Sequence, residues 1–148
     1  MNRRTLGGVL SLIFQIAGLG LGVYRLWPEA LYLLSAAQEE RLFFMRALEA
    51  GERILLYFTL VLLPFMYPLK KVLGNKLYSA LAVLVFSGLC VVLAQVLHAS
   101  IVDGYVFFIS RNRHWVSLAR PAVVIVIVAG NWLIAFAEMY RVAKVAGK

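Results

Sequence analysis

Apolar residues fill four long stretches of this chain, and polar residues are concentrated between them. The apolar stretches cover residues 5–27, 53–74, 77–102 and 117–141. A helix needs about 20 mostly apolar residues to cross a bilayer, and each stretch is long enough. The pattern therefore predicts four transmembrane helices in a single membrane domain, residues 1–148, with two external segments at 28–52 and 103–116.

The composition agrees with a membrane protein. Hydrophobic residues make up 63% of the chain and charged residues 15%, against about 25% charged residues in soluble domains. The mean hydropathy of the chain is +0.86. Two arginines precede the first stretch, as in a signal peptide, but no small-residue cleavage site follows it, so we expect a retained span. The predicted location is a bacterial cytoplasmic (inner) membrane.

The connections between the stretches predict an all-α fold, an antiparallel four-helix bundle with an external helical arm between the first and second spans. Residues 68–76 form a short basic turn with Pro, Gly and Asn, which ends one helix and precedes the next. The arm covers residues 28–52, where Pro28 stands at a favourable first helical position and no strong breaker follows before Gly51. Pro64 bends the second span, either as a hinge or as a static kink.

Positive charges indicate which side of the membrane each connection faces. The net charge is +8, and the 15 lysines and arginines divide almost evenly between the two sides, eight against seven. All five lysines nevertheless lie on one side, in the 68–76 turn and near the C-terminus. The positive-inside rule then predicts that both termini are cytoplasmic. Because the basic residues flank spans, we expect membrane lipids with anionic headgroups as partners and no nucleic acid.

The second external segment ends in a cationic cluster. It begins with Asp103-Gly104, a turn signal, and continues with aromatic residues that suit the headgroup level of a membrane. The cluster either anchors the chain to anionic headgroups or holds a phosphate or carboxylate through charge-assisted hydrogen bonds. Its members are Arg111, Arg113, His114 and Arg120.

Polar and small residues inside the spans mark the expected helix contacts. In the first span they recur every three or four residues, so they share one face, where Gly18 and Gly22 let a neighbouring helix approach closely. Gln15 and Asn131 both fall near the midplane and are expected to form a hydrogen bond. Glu138 lies near the cytoplasmic end, beside Arg141. The predicted packing and polar-core residues are Gly7, Ser11, Gln15, Gly18, Gly22, Gln95, Asn131 and Glu138.

The chain offers little for catalysis or for binding a cofactor. Its one cysteine, Cys90, and its two histidines, His98 and His114, supply no recognisable ligand set for a metal or haem, so no metal site and no cofactor are expected. No nucleophile, base and orienting group stand at a recognisable spacing. No catalytic residue is therefore predicted.

Three functions remain open on the sequence. The first is a non-catalytic polytopic subunit or assembly component of a larger membrane complex, whose partners are other membrane protein subunits or further copies of the chain. The second is a small oligomeric transporter, channel or lipid-translocating protein, with Gln15, Gln95 and Asn131 along its path. The third is a membrane enzyme acting on a lipid-linked substrate through Glu52, His114 and the external arginines. The lack of a catalytic pattern favours the first.

Overall fold

A computed structural model of the protein describes residues 3–36, 40–109 and 116–146. Four long α-helices and one short α-helix hold nearly all of these residues, which confirms the predicted all-α class. The helices are α1 (Arg3–Ala36), α2 (Glu40–Leu62), α3 (Met66–Val72), α4 (Asn75–Ile109) and α5 (Val116–Ala146), and a 3₁₀ turn, Leu63–Phe65, joins α2 to α3.

Four helical segments of the described chain are long and apolar enough to cross a membrane, as predicted. They are Thr5–Ser35, Ala50–Val72, Asn75–Val102 and Ala119–Lys144. Each overlaps one of the predicted spans, and the second combines the end of α2, the 3₁₀ turn and α3. By the length and composition of these segments, the chain is an integral membrane protein.

The arm predicted between the first and second spans does not form a helix of its own. α1 continues through Pro28 to Ala36, so the prediction that Pro28 begins a helix is wrong. A proline inside a helix removes one backbone hydrogen bond, which a helix tolerates when its packing continues beyond the proline. Packing continues here, because Glu29 of α1 pairs with Arg53 of α2, with 3.2 Å between Oε1 and Nη1. The later part of the segment belongs to α2, and residues 37–39 lie outside the described chain.

The turn predicted at Asp103-Gly104 is also wrong, since α4 runs without interruption to Ile109. No described glycine adopts a positive φ, so Gly104 keeps the backbone conformation of the helix around it. A glycine inside a helix costs only about 1 kcal/mol relative to alanine, and the apolar residues on both sides favour a continued helix. Only residues 110–115 remain between α4 and α5, and they lie outside the described chain.

The turn predicted at residues 68–76 is present but shorter, because residues 68–72 belong to α3 and only Leu73 and Gly74 separate α3 from α4. α3 ends at Val72 and α4 begins at Asn75, and the backbone N–H of Tyr78 donates to the Gly74 carbonyl at 2.9 Å. Pro64 lies in the 3₁₀ turn that interrupts the second span, as its missing N–H predicts. The second span therefore changes from α-helix to a 3₁₀ turn at Pro64 before it reaches the α3–α4 turn.

The four long helices form a ring in which each packs mainly against two neighbours. α1 contacts α2 and α5, and α4 contacts the same two helices. The largest fully buried side chains come from α2, α4 and α5, and they are Leu60, Val85, Leu89, Val92, Val128 and Asn131. Many large apolar side chains on the outside of the ring are exposed, as suits a surface in contact with lipid tails.

The two ends of the ring differ in charge. At one end a shared cavity is lined by Ser11 of α1, Tyr67 of α3, Tyr78 of α4 and Glu138 of α5. Four of the five lysines lie there, so we call it the basic end; they are Lys70, Lys71, Lys76 and Lys144. The other end, where α1 meets α2 and α4 approaches α5, we call the opposite end.

Candidate functional site

The face of α1 that carries the predicted polar and small residues turns toward the other helices. Ser11 and Gln15 line a cavity near the basic end. Gly18 lies against α5, and Gly22 lies against α2. Gly7 is exposed, with no atom within 4 Å of the position that a side-chain Cβ would take, so it has no part in these contacts. The helices that pack on this face belong to the chain itself, a point that the sequence left open.

Asn131 is completely buried between α1 and α5. Its Nδ2 donates two hydrogen bonds, to the Phe14 carbonyl at 2.7 Å and to the Ile127 carbonyl at 2.9 Å. Its Oδ1 receives no hydrogen bond within the described chain and faces Gly18, 2.8 Å from the position of a Cβ there. The Cα–H of a glycine in that place is a weak donor to the oxygen. The carboxamide therefore fits against α1 because residue 18 has no side chain.

The hydrogen bond predicted between Gln15 and Asn131 is wrong. Gln15 Nε2 donates instead to Ser11 Oγ, one helical turn earlier, at 3.3 Å. Asn131 bonds the α1 backbone because Gly18 leaves the Phe14 carbonyl, one turn before it, open to a neighbouring helix. A sequence pattern suggests which polar side chains could bond to each other. It does not show which backbone carbonyl a glycine leaves exposed to a neighbouring helix.

Glu138 joins three helices at the basic end. Its Oε1 accepts a hydrogen bond from the Tyr78 hydroxyl of α4 at 2.7 Å and lies 3.5 Å from Lys70 Nζ of α3. Its Oε2 lies 3.3 Å from Nη1 of Arg141, the predicted neighbour. A carboxylate with one hydroxyl donor and two cations is well satisfied, so it stabilises this junction and is a poor proton acceptor. We call these four residues the Glu138 junction.

Tyr78 and Lys70 were not predicted as part of this site, although the sequence carried a partial signal for Lys70. Once the second and third spans form a hairpin, the turn at 68–76 must lie at the same end as Glu138. A lysine of that turn was therefore a candidate partner. The choice of Lys70 over Lys71 depends on how α3 is rotated after the 3₁₀ turn at Pro64, and that rotation is set by the packing of the helices.

A cavity of about 420 Å³ lies beside the Glu138 junction, between α1, α5 and the 3₁₀ turn. Ser11, Gln15 and the junction supply its polar lining, and apolar residues such as Leu63 and Ile134 supply the rest. Among the described residues, no three His, Cys, Asp or Glu side chains are placed to hold a metal ion. The cavity offers hydrogen-bonding groups at its wall, and its one carboxylate is already paired.

The outward face of α4 carries small and polar residues along one line of the helix. Ala80, Ser87 and Ala94 stand seven residues apart, and His98 follows after four more, so all four lie on nearly the same face. All four are exposed. Ser87 lies close to the middle of the span Asn75–Val102. We call this line the α4 stripe.

The polar residues of the α4 stripe have no hydrogen-bond partner in the described chain. Two other serines of α4, Ser79 and Ser100, donate to backbone carbonyls one turn earlier, at 2.9 and 2.7 Å. Ser87 and His98 make no such bond, and neither does Gln95, a predicted polar-core residue that is exposed next to the stripe. A polar group without a partner in hydrocarbon is costly, so the face is incomplete as it stands.

The predicted cationic cluster can be placed only in part. Arg120 is exposed near the start of α5. Arg111, Arg113 and His114 lie outside the described residues. The role predicted for the cluster, contact with an anionic headgroup or a bound anion, therefore stays a prediction.

A comparison of the chain with known protein families, curated proteins and solved structures finds no match. The function of the chain has to be argued from its own residues and contacts.

Proposed function

We propose that this chain is a non-catalytic polytopic subunit of a larger membrane complex, in which the α4 stripe contacts a transmembrane helix of a partner subunit. The observation that carries the proposal is the exposure of Ser87 and His98 inside a membrane span without a hydrogen-bond partner in the described chain. Ionisable side chains inside transmembrane segments, histidine included, almost always face protein or a water-filled cavity. A partner helix on this stripe would supply the missing contacts.

The small residues of the stripe support the same proposal. Transmembrane helices associate through close van der Waals packing, and small residues at the interface allow it. Ala80, Ser87 and Ala94 repeat every seven residues, the period at which helices crossing by about 20° stay in contact. An interhelical hydrogen bond from Ser87 or His98 would add about 0.6–2 kcal/mol.

We further propose an antiparallel four-helix bundle in a bacterial cytoplasmic membrane, with both termini in the cytoplasm. The lysines at the basic end, which flank the spans, support this orientation. α1 has 34 residues. At 1.5 Å per residue such a helix is about 51 Å long, well beyond a hydrocarbon core of about 30 Å. The end of α1 beyond Pro28 and the start of α2 would then project together as the external arm.

Native mass spectrometry of the protein, gently extracted from its own membrane, tests the proposal. The wild-type chain should carry a foreign subunit in a fixed ratio. Ser87→Leu and Ala94→Leu, which fill the stripe with larger side chains, should lose that subunit. Ala122→Leu, the same enlargement at an exposed position of α5, should keep it. A wild-type chain recovered without a foreign subunit, or equal loss in all three variants, would reject the proposed interface.

A small oligomeric transporter, channel or lipid-translocating protein is a second candidate function. The observation in its favour is the placement of the three polar residues that were expected along a path. Gln15 lines the cavity at the basic end, and Gln95 lines a second cavity near the opposite end. By its position along its span, Asn131 lies between these two levels. A clean homo-oligomer in the mass spectrum would favour it. So would an Asn131 variant that folds normally but abolishes solute flux. The enzyme hypothesis relied on His114, outside the described chain, and we do not propose it.

A further inference from the structure

We propose that Arg25, Tyr57 and Gln95 form a binding site for a phosphate group, in a cavity near the opposite end of the ring. The proposal concerns a ligand, and it stands or falls independently of the assembly role of the α4 stripe. The cavity has a volume of about 280 Å³. Each of the four long helices contributes to its wall: α1 through Arg25, α2 through Tyr57, α4 through Gln95 and Ser100, and α5 through Pro121.

Arg25 is a cation inside a membrane span that lacks an anionic partner in the described chain. It belongs to the segment Thr5–Ser35, and its guanidinium carbon lies 6.0 Å from the centre of the Tyr57 ring. Two other described arginines are paired, Arg53 with Glu29 at 3.2 Å and Arg141 with Glu138 at 3.3 Å. Arg25 has only the aromatic ring within the described residues. An arginine on a transmembrane helix needs an anion or the headgroup region for its charge, so the exposed Arg25 side chain is suited to bind an anionic group.

Two more hydrogen-bond donors reach the same cavity. The Gln95 carboxamide and the Tyr57 hydroxyl make no hydrogen bond within the described chain, so both are available to a ligand. Ser100 also lines the cavity, but its hydroxyl already donates to the Val96 carbonyl at 2.7 Å. The unpaired groups can therefore all donate hydrogen bonds, one of them carries a positive charge, and no described residue of the cavity wall is a carboxylate.

A phosphate group matches this arrangement. The planar guanidinium donates two parallel hydrogen bonds to a phosphate, and amide and phenol donors can take its remaining oxygens. The volume of about 280 Å³ is several times the roughly 30 Å³ that one water occupies, so the group fits. Pro121 and Ser100 each lie two residues from the end of a span, which places the cavity near headgroup depth. Both a lipid headgroup and free inorganic phosphate carry the required chemistry.

Ligand-induced stabilisation of the purified protein in detergent distinguishes the two sources. A ligand that binds only the folded state raises its melting temperature with concentration, and the rise yields an affinity. The probes are short-chain phosphatidic acid and inorganic phosphate, with short-chain diacylglycerol, which lacks the phosphate, as the blank. Stabilisation by phosphatidic acid alone assigns the site to a lipid headgroup. Stabilisation by both phosphate compounds assigns it to the phosphate group itself, and either result supports the site.

Variants separate this site from general attraction between a basic protein and an anion. Arg25→Gln should weaken binding by about tenfold or more, since hydrogen bonds to charged groups are the strong ones. Lys144→Gln removes an exposed cation at the basic end that does not line the cavity, and it should change the affinity less than about threefold. Tyr57→Phe keeps the ring under Arg25 but removes the hydroxyl, so it should weaken binding without disturbing the fold, and it serves if Arg25→Gln does not fold.

Three results would overturn the proposal. One is a wild-type protein that neither phosphate compound stabilises. Another is equal weakening by Arg25→Gln and Lys144→Gln, which would indicate general electrostatic attraction. The third is unchanged affinity in both Arg25→Gln and Tyr57→Phe, which would place the bound phosphate elsewhere.

Discussion

Gly18 and Asn131 depend on one another at the scale of single residues. The carboxamide of Asn131 is fully buried, and its two donor hydrogens are both used, on Phe14 of α1 and on Ile127 of its own helix. The close approach that allows the bond to Phe14 requires glycine at position 18. A polar contact of this kind fixes the rotation of α5 against α1, which apolar packing alone would leave less strictly defined.

Gly18→Ala should destabilise the protein, because its methyl group would start 2.5 Å from Asn131 Nδ2. Overpacking of this kind typically costs about 1–3 kcal/mol. Gly20→Ala is the matched control, since no atom lies within 4 Å of its Cβ position. The control should be neutral or slightly stabilising, by up to about 1 kcal/mol from helix propensity. Unfolding in mixed micelles, followed by tryptophan fluorescence, gives the free energy of unfolding of each variant. Equal changes in Gly18→Ala and Gly20→Ala would contradict the close contact at Gly18.

Asn131→Asp should destabilise the protein more than Asn131→Ala does. Alanine removes the two hydrogen bonds and leaves a small void, a loss of about 1–3 kcal/mol. Aspartate instead places an oxygen where Nδ2 now faces the Phe14 and Ile127 carbonyls, so three acceptors meet without a donor unless the acid is protonated. The same unfolding measurement at neutral pH compares the two. An aspartate variant at least as stable as the alanine variant would contradict the two hydrogen bonds that Nδ2 donates to these carbonyls.

At the scale of helices, different interfaces use different means of contact. Glycines let helices approach at three interfaces. Gly22 lies between α1 and α2, Gly88 lies against Thr59 between α4 and α2, and both Gly18 and Gly130 lie between α1 and α5. The α4–α5 interface instead uses aromatic rings; those of Phe86, Trp132 and Phe136 lie 5.8–5.9 Å apart. The Glu138 junction adds a polar connection at the basic end of this interface.

Tyr78→Phe should weaken the connection between α4 and α5 by about 0.5–1.5 kcal/mol, the usual net value of one hydrogen bond. The substitution removes only the hydroxyl that donates to Glu138, since the ring stays in place. Tyr67→Phe is the control, because the Tyr67 ring is 71% exposed and its hydroxyl has no partner in the described chain. Thermal unfolding in detergent should show a lower midpoint for Tyr78→Phe alone. Equal midpoints for the two variants would mean that the bond contributes nothing.

At the scale of the whole molecule, the surface sorts into apolar and charged zones along the membrane normal. Large apolar side chains are exposed around the ring, whereas four of the five lysines gather at one end. This zoning explains why a chain with a modest buried core can be stable, since lipid tails cover the exposed apolar groups. It also makes the orientation in the membrane testable.

Single cysteines should label from opposite sides of an intact membrane. In a Cys90→Ala background, which removes the only natural thiol, Arg120→Cys should react with an impermeant maleimide added to whole cells. Lys71→Cys and Lys144→Cys should react only after the membrane is permeabilised, because the positive-inside rule places them in the cytoplasm. All three positions are exposed, so accessibility alone does not separate them. Labelling of Lys71→Cys in intact cells would reverse the proposed orientation.

The sequence was least informative about which side chains bond to each other and where the helices end. It correctly located the polar face of the first span, the Arg141 neighbour of Glu138 and the turn between the second and third spans. It paired Gln15 with Asn131, whereas each has another partner, and it ended helices at Pro28 and Gly104, which lie inside α1 and α4. Local signals such as these are weak in long helices, because one lost hydrogen bond or one glycine is outweighed by packing on both sides.

The sequence by itself determined that four helices cross a membrane and that lysines gather at one end. Both follow from the bilayer, which requires long apolar helices and sorts charges whatever the neighbours are. Only the tertiary structure decided which helix faces meet. Asn131 packs on Gly18, Glu138 contacts Tyr78 and Lys70, and the α4 stripe faces outward. Those choices depend on helix rotation and close contact in three dimensions, and side-chain periodicity along one chain does not encode which face a neighbour will take.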